Sequence, residues 1–298
     1  MSRLIETVVG ALSDAVRHQA LDLASQVAQF DGVAALGEVA LEQLANGQPD
    51  VTHALAWIDG DLAGYGQRDT QSLSAELAVA PDRRRGGLGS ALAQSLMRAA
   101  PGLRLWAHGN LPAAQALANA LGLVPVRQMV LMRAALPANL ATTQTPPPSG
   151  VAFRCFRPGQ DEANFLDLNA AVFAKHPEQG NLTRPDLAWR MRQDWFDPNG
   201  FFLAEQVEPP GQTGLIGYHW TKVQDKVAEV YVIGVHPNAQ GMGLGTALLK
   251  RGLEHLARAG HQQVELYVEA DNTPALAAYH RQGFTVARHH VQYARHVP

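Results

Sequence analysis

Apolar positions in the last quarter of the chain follow first a strand pattern and then a helix pattern. Residues 229–235 (EVYVIGV) are rich in β-branched and aromatic side chains, and His236-Pro237 interrupts them. A glycine-rich turn, 240–245 (QGMGLG), comes next. Five leucines then recur at helical spacing, namely Leu244, Leu248, Leu249, Leu253 and Leu256. A glycine turn that opens a helix leaves backbone N–H groups unpaired, so this segment predicts a cradle for a pyrophosphate.

The same order of elements occurs earlier in the chain. Residues 75–79 form a strand pattern, Pro81 interrupts it, and 84–89 (RRGGLG) open another apolar helix. Pro81 and Pro237 are 156 positions apart, as are the closing glycines of the two turns. This period is much longer than the roughly 20–50 residues of a solenoid repeat, so it predicts two copies of a whole domain.

The remaining pattern mixes helices and strands in each copy. In the first copy it predicts helices at 12–30, 37–44 and 113–120, strands at 52–58, 61–67, 75–79 and 103–107, and a last hairpin ending near Met132. In the second it predicts strands at 151–156, 201–205, 215–223, 229–235 and 264–269, and helices at 161–173 and 184–193. Asp59-Gly60 is a strong two-residue hairpin signal. The fold class is therefore mixed α/β, with hairpins before each glycine turn and a βαβ step after it.

A segment without periodicity separates the copies. Residues 136–150 include three consecutive prolines, which is typical of a semi-rigid linker. We expect an N-terminal domain at 1–140, a Pro-rich linker at 141–150 and a C-terminal domain at 151–298.

Composition narrows the class of protein. A 46% apolar content is enough for two cores, and a net charge of −3 argues against a nucleic-acid or anionic-membrane partner. The single cysteine, Cys155, excludes an internal disulfide, and the twelve histidines show no metal-ligand spacing. The basic run 83–85 is interpreted as a local anion clamp. With no secretory or membrane-spanning pattern, we expect a cytoplasmic, soluble monomer without a metal.

The two glycine turns carry a family resemblance. Both fit the Gln/Arg-x-x-Gly-x-Gly/Ala signature of the GNAT N-acetyltransferase superfamily, and 272–284 fit its Asn-x-x-Ala-x-x-x-Tyr-x-x-x-Gly-Phe pattern. The chain is thus similar to a tandem GNAT protein. That implies two mostly antiparallel sheets flanked by helices, each splayed at the strand that binds acetyl-CoA as cosubstrate.

The resemblance also implies which residues bind acetyl-CoA. In copy 2 they are Ile233, Gly234, Val235, Gln240, Gly241, Met242, Gly243, Leu244, Gly245, Thr246, Asn272, Ala275 and Ala277. In copy 1 they are Leu77, Ala78, Val79, Arg85, Gly86, Gly87, Leu88, Gly89 and Ser90.

A narrower resemblance is to the mycothiol synthase family. Short segments carry it, among them 33–38, 105–109, 176–180, 219–223 and 229–235. It implies acetylation of the cysteinyl amine of a cysteinyl-glucosaminyl-inositol, the last step of mycothiol biosynthesis, with the acceptor in a groove between the domains. The implied substrate contacts are Glu38, Glu178, Lys222, Glu229 and Tyr267.

Two side chains of copy 2 suit the chemistry of acetyl transfer. Strand alternation places Glu229, Tyr231 and Ile233 on one face, where the Glu229 carboxylate can take the amine proton, by way of a water. The Tyr279 phenol can protonate the departing thiolate. Gly234 suggests a bulge or a close backbone approach for the acetyl carbonyl. Copy 1 has Ala118 at the position of Tyr279, so it is expected to keep the cradle without the chemistry.

Other interpretations remain open at this point. The acceptor can be another small amine or a protein N-terminus, and a non-catalytic CoA-binding protein would also keep both cradles. A dinucleotide-dependent oxidoreductase is weaker, because the turn is not Gly-x-Gly-x-x-Gly and hairpins precede it.

Overall fold

The protein is described here from a computed structural model, which covers residues 2–70, 73–98, 100–142, 144–174, 179–207 and 214–296. The chain divides into two compact units, residues 1–129 with 288–298 and residues 130–287. We call them unit 1 and unit 2.

Unit 1 is built on strands in the order β1-β2-β3-β4-β5-β12. Neighbouring strands are antiparallel, except that β4 and β5 are parallel. In chain order its elements are β1 (Arg3–Val9), α1 (Asp14–Asp31), α2 (Glu38–Asn46), β2 (Val51–Ile58), β3 (Asp61–Asp69), β4 (Ser74–Val79), α3 (Leu88–Arg98), β5 (Arg104–Ala107), α4 (Pro112–Ala120) and the first part of β6 (Leu123–Ala135). The last strand, β12 (Thr285–Arg295), returns to pair with β5.

Unit 2 repeats this plan on strands in the order β6-β11-β10-β9-β8-β7. Its antiparallel strands β7 to β10 are followed by a parallel β10–β11 pair. Its elements are β7 (Val151–Cys155), α5 (Glu162–Val172), α6 (Arg184–Arg190), β8 (Phe201–Gln206), β9 (Gly214–Gln224), β10 (Val227–Val235), α7 (Leu244–Arg258), β11 (Gln263–Glu269) and α8 (Thr273–Arg281).

In each unit, helices pack on both faces of the strands. In unit 1, α1 and α2 pack on one face around Leu23, Leu44 and Tyr65, and α3 packs on the other through Leu92 and Leu96. In unit 2, a cluster rich in aromatic side chains lies under α5 and α6, while α7 buries its leucine stripe on the opposite face. The apolar residues at helical spacing therefore form the buried faces of α3 and α7, as their spacing predicted.

The predicted mixed α/β fold class and most predicted elements are confirmed. The Asp59-Gly60 hairpin turn has positive φ at both residues, 52° and 96°, as a two-residue turn that follows the strand twist requires. Two predictions need correction. Strand β1 was not predicted, and residues 123–135 form one long strand instead of a hairpin ending near Met132.

The segment predicted as a linker packs against unit 2. Leu140 and Ala141, in a 3-10 turn at Ala138–Thr142, contact the cluster beneath α7. The backbone N–H of Thr145 donates to the buried Glu254 carboxylate of α7 at 2.9 and 3.1 Å. This half of the segment is thus held to the glycine-turn helix and is not a free spacer.

The compact units and the sequence repeat divide the chain at different places. The repeat predicts domains at 1–140 and 151–298, and these bounds stay a prediction. The boundaries of the compact units fall instead between residues 129 and 130 and between residues 287 and 288. Each unit consequently contains strand residues from the other repeat: 130–135 of β6 lie in unit 2, and 288–295 of β12 lie in unit 1.

Candidate functional site

The glycine turn of unit 2 has the geometry of an anion cradle. Gly241 and Gly243 adopt φ of 82° and 77°, and Gly243 caps α7 without a side-chain hydrogen bond. A Cβ built at either glycine meets no atom within 4 Å, so open space lies in front of the turn. The first N–H groups of α7 have no partner within the helix, and together with the helix dipole they suit a pyrophosphate.

Unit 1 has a turn of the same shape. Arg85 and Gly87 adopt φ of 64° and 81°, at the positions of Gly241 and Gly243. Arg84, however, pairs with both carboxylate oxygens of Asp31 at 2.8 Å and also donates to the Val79 carbonyl. The interpretation of the whole run 83–85 as an anion clamp is therefore wrong for Arg84, which holds α1 to the turn.

Each unit has its parallel strands splayed next to the glycine turn. In unit 2, β10 pairs with β9 as far as Val235, while its register with β11 contains the single pair Glu229 and Glu265. In unit 1, β4 and β5 separate after the pair Ala75 and Leu105. The predicted splay is present, since beyond Glu229 the backbone of β10 remains paired with β9 but has no register partner on β11.

A β-bulge in β10 changes which side chains share a face. The register with β9 shifts between Val230 and Val232. Tyr231 packs with the aromatic cluster under α5 and α6, whereas Ile233 packs with clusters formed by α7. The prediction that Glu229, Tyr231 and Ile233 share one face is therefore wrong for Ile233, since the extra residue reverses the alternation.

Gly234 has a packing role. A Cβ there would lie 2.8 Å from Val172 Cγ1 and 2.9 Å from the Tyr218 ring. The bulge lies at Tyr231 and not at Gly234, where the pairing with Tyr218 is regular. Close packing thus explains this glycine, and the predicted contact of its backbone with the acetyl carbonyl stays a prediction.

Glu229 and Lys222 are paired across β10 and β9. The Lys222 ammonium lies 4.7 Å from the centre of the Trp195 ring and 5.1 Å from that of Tyr231, and the residue is only 8% exposed. Cation–π contacts thus fix the ammonium beside the predicted catalytic strand. No motif in the sequence identified Trp195, because its proximity depends on the turn after α6.

Tyr279 lies on α8 and packs against the cluster beneath α7, which Ile233 also contacts. Its ring is 5.8 Å from Phe284. Burial raises the pKa of the Tyr279 phenol to about 12. The phenol is therefore neutral at pH 7 and keeps a proton to donate, as the predicted role requires.

Among the other predicted site residues, one caps a helix and several are exposed. The Asn272 side chain caps α8 by accepting from the Ala275 N–H at 3.2 Å, which gives it a structural role. Ala277 and Thr246 are exposed, and Tyr267 is 44% exposed. Glu38 is exposed in the first turn of α2, and Glu178 lies outside the described residues.

Unit 1 has a buried polar chain where its strands separate. Glu76, on β4, accepts from the Gly37 N–H at 2.5 Å, and its other oxygen lies 3.2 Å from His108 Nε2. His108 Nδ1 is 3.3 Å from His290 Nδ1, on β12. Burial alone would lower the pKa of His108, but the Glu76 carboxylate outweighs it and raises that pKa; burial and His108 lower the pKa of His290 to about 4.

Among the described residues, no group of three or more His, Cys, Asp or Glu side chains could hold a metal ion. In the same part of the chain, no helix has the length and apolar content needed to cross a bilayer.

Comparisons with known proteins agree with this geometry. The profile of the acetyltransferase (GNAT) family matches residues 22–123 and 168–284. The mycothiol acetyltransferase of Streptomyces griseus subsp. griseus is 47% identical over 285 residues, covering 92% of this chain and 90% of that protein. The mycothiol acetyltransferase of Actinosynnema mirum is 44% identical over 303 residues, covering 95% and 100%.

A solved structure shares the tandem arrangement. It is a tandem GNAT protein from the clavulanic acid biosynthesis pathway, with a TM-score of 0.71 and 21% identity over 97% of this chain and 98% of that one. At this identity the likeness concerns the fold alone, and it confirms the tandem fold predicted from the sequence.

Proposed function

This chain belongs to the acetyltransferase (GNAT) family, and we propose that it acetylates the cysteinyl amine of a cysteinyl-glucosaminyl-inositol, the last step of mycothiol biosynthesis. The observation that supports this acceptor is the 44–47% sequence identity to two mycothiol acetyltransferases over more than nine tenths of the chain. The family resemblance predicted from the sequence is confirmed. Acetyl-CoA is the cosubstrate of GNAT acetyltransferases, so it is the acetyl donor in this proposal.

The cradle of unit 2 would hold the donor. Gly241 and Gly243 present backbone N–H groups without a side chain in front of them, which suits the CoA pyrophosphate. The splayed part of β10, Ile233–Val235, would lie along the thioester, where an unpaired backbone N–H can stabilise the charge that develops on the acetyl oxygen.

The chemical step is direct attack in a ternary complex. The amine nitrogen attacks the thioester carbonyl, and the carbon–sulfur bond breaks as the tetrahedral intermediate collapses. Glu229 takes the amine proton, directly or through a water. This is a light task, because an α-amino group has a pKa near roughly 8 and is partly neutral at pH 7.

Tyr279 would act on the leaving thiolate. With its pKa raised to about 12, the phenol is a weaker acid than a thiol, whose pKa is near roughly 8.5. Complete proton transfer to a free thiolate is therefore uphill, and the phenol helps chiefly by donating a hydrogen bond while negative charge develops on sulfur.

The acceptor contacts rest on the family resemblance. Lys222, Glu229 and Tyr267 of unit 2, with Glu38 and Glu178, would bind the ammonium group and the sugar hydroxyls. A hydrogen bond to a charged group contributes roughly 1.5–3 kcal/mol. The cytoplasmic location, the monomeric state and the absence of nucleic-acid and membrane partners stay predictions.

The test is a comparison of kcat/KM for the cysteinyl pseudodisaccharide, simple amines and a peptide N-terminus, in wild type and in Glu38→Ala. We expect the pseudodisaccharide to be preferred, and Glu38→Ala to raise its KM. A better rate with a peptide N-terminus, or an unchanged KM in Glu38→Ala, would contradict the assigned acceptor while leaving the acetyltransferase family intact.

A further inference from the structure

Four neighbouring strands of unit 2 each contribute one charged side chain at the point where the sheet splays. Lys222 and Glu229 are partners across β9 and β10, and Glu229 and Glu265 are partners across β10 and β11. Arg133, on β6, donates from Nε to Glu265 Oε2 at 2.9 Å. We call these four residues the charged row; its signs run plus, minus, minus, plus.

The charged row lies on the sheet face opposite α7. Along β11, Val264, Leu266 and Val268 are buried in the cluster that α7 covers, so Glu265 points to the other face. Residues paired across adjacent strands share a face, and Glu229 is therefore on the same side as Glu265. Lys222, the partner of Glu229 on β9, lies on the same face, because its ammonium contacts Trp195 and Tyr231 in the aromatic cluster under α5 and α6.

Two adjacent carboxylates form an unfavourable pair unless a cation lies near both. Neighbouring strands are roughly 4.8 Å apart, and like charges opposite each other destabilise a sheet. Arg133 contacts Glu265, but it is half-exposed while the Glu265 side chain is only 14% exposed. A small cation bound between the two carboxylates would remove their mutual repulsion, and the splay of β10 from β11 begins at this pair.

We propose that Glu265 is a second carboxylate for the acceptor ammonium group, beside Glu229, and that Arg133 is its positioning residue. The inference rests on the proposed function only in taking an amine as the acceptor. A primary amine with a pKa near roughly 8 arrives mostly as ammonium at pH 7, so Glu265 contributes to binding. Glu229 then takes the proton that must leave before attack. Sequence reasoning missed Glu265 because the contact depends on the parallel pairing of β10 and β11.

The test is Glu265→Gln, which keeps the shape of the side chain and removes its charge. We expect the KM of the amine acceptor to rise about 10- to 100-fold, with kcat and the KM of acetyl-CoA changed much less, as for the loss of one charged hydrogen bond. Glu205→Gln is the matched control, since Glu205 is another strand carboxylate of unit 2 paired with an arginine, Arg154, at 2.7 Å. It should leave both KM values unchanged.

Arg133 is tested by a pair of variants. Arg133→Met should raise the acceptor KM by a smaller factor, and Arg133→Lys should restore most of the loss; a merely structural arginine would instead lower the melting temperature without changing that KM. Calorimetric titration of the cysteinyl pseudodisaccharide, and of the best simple amine, into the CoA complex gives the same readout without turnover.

The outcomes separate this inference from the proposed function. If another amine proves to be the acceptor but Glu265→Gln still weakens its binding, the assigned acceptor fails and this inference stands. If Glu265→Gln binds the acceptor as well as wild type, or raises the KM of acetyl-CoA equally, Glu265 has no role in recognising the ammonium group.

Discussion

Both units have a pair of splayed parallel strands, but the side chains around the splay differ between the units. In unit 1 the gap between β4 and β5 is bridged by side chains, because Glu76 bonds the Gly37 N–H and lies against His108, which in turn contacts His290. In unit 2 the position of Glu76 is held by Val232, and the carboxylates lie at the start of the splay. In unit 1 the Glu76 carboxylate is already engaged by the Gly37 N–H and by His108, whereas the adjacent carboxylates of unit 2 favour a cation.

The helix that follows the splayed strands also differs between the two units. Ala118 of α4 is buried in the core of unit 1, where unit 2 has Tyr279 with a neutral phenol. The glycine turns, by contrast, have nearly the same backbone angles in both units. Backbone geometry alone thus keeps the shape of the turn in both units, and we predict that the chemistry depends on a few side chains that only unit 2 has.

The largest expected difference follows from filling either cradle. Gly243→Val should reduce turnover at least 100-fold, because its side chain would occupy the open space in front of the turn and strain a φ of 77°. Gly87→Val, at a φ of 81°, should keep most of the turnover if the protein folds. Steady-state assays and thermal melts of both variants measure this.

Gly260→Ala is the control for backbone strain. Gly260 has a φ of 90° and open space around it, but it follows the far end of α7. The Gly260→Ala variant should therefore be less stable than wild type but keep its turnover. Equal loss of turnover in folded Gly87→Val and Gly243→Val would show that unit 1 is more than a structural copy.

A smaller effect is expected from removing the phenol. Tyr279→Phe should lower kcat by roughly 10²–10³-fold with little change in acetyl-CoA binding, since its hydroxyl donates a hydrogen bond to the departing thiolate. Rapid-quench kinetics under chemistry-limited conditions give the value. A kcat near that of wild type would remove Tyr279 from the mechanism.

The smallest expected effect on turnover is in the polar chain of unit 1. Glu76→Gln should leave kcat nearly unchanged but destabilise the fold by about 1–3 kcal/mol, as for a buried hydrogen-bond partner. NMR titration should show the pKa of His108 falling, because the carboxylate that raises it is lost while burial remains.

The pH dependence of this variant has a defined sign. A raised histidine pKa stabilises the fold below the unfolded value of about 6.5, and that contribution is lost as the pH rises through the folded-state pKa. The stability difference between wild type and Glu76→Gln should therefore be largest in acid and shrink as the pH rises. A stability difference that does not change with pH would mean that Glu76 does not raise the pKa of His108.

Local features of this protein could be predicted from the sequence, and long-range ones could not. Helical spacing of leucines located α7, and the glycines located both cradles, because each depends on neighbours along the chain. The bulge at Tyr231 leaves no local signal, so it reversed the predicted face of Ile233. Strand β12 pairs with β5, nearly 190 residues away, and with it His290 reaches His108. Glu265 and Trp195 were missed for the same reason.

The most direct test of the division of labour is turnover in a Glu229→Gln/Tyr279→Phe double variant. Both changes lie in unit 2 and leave the unit 1 cradle intact. We expect the folded variant still to bind acetyl-CoA, measured as a rise in melting temperature, yet to release CoA no faster with the amine acceptor than without it. Amine-dependent CoA release near the wild-type rate would show that unit 1 carries out acetyl transfer itself, or that neither side chain takes part.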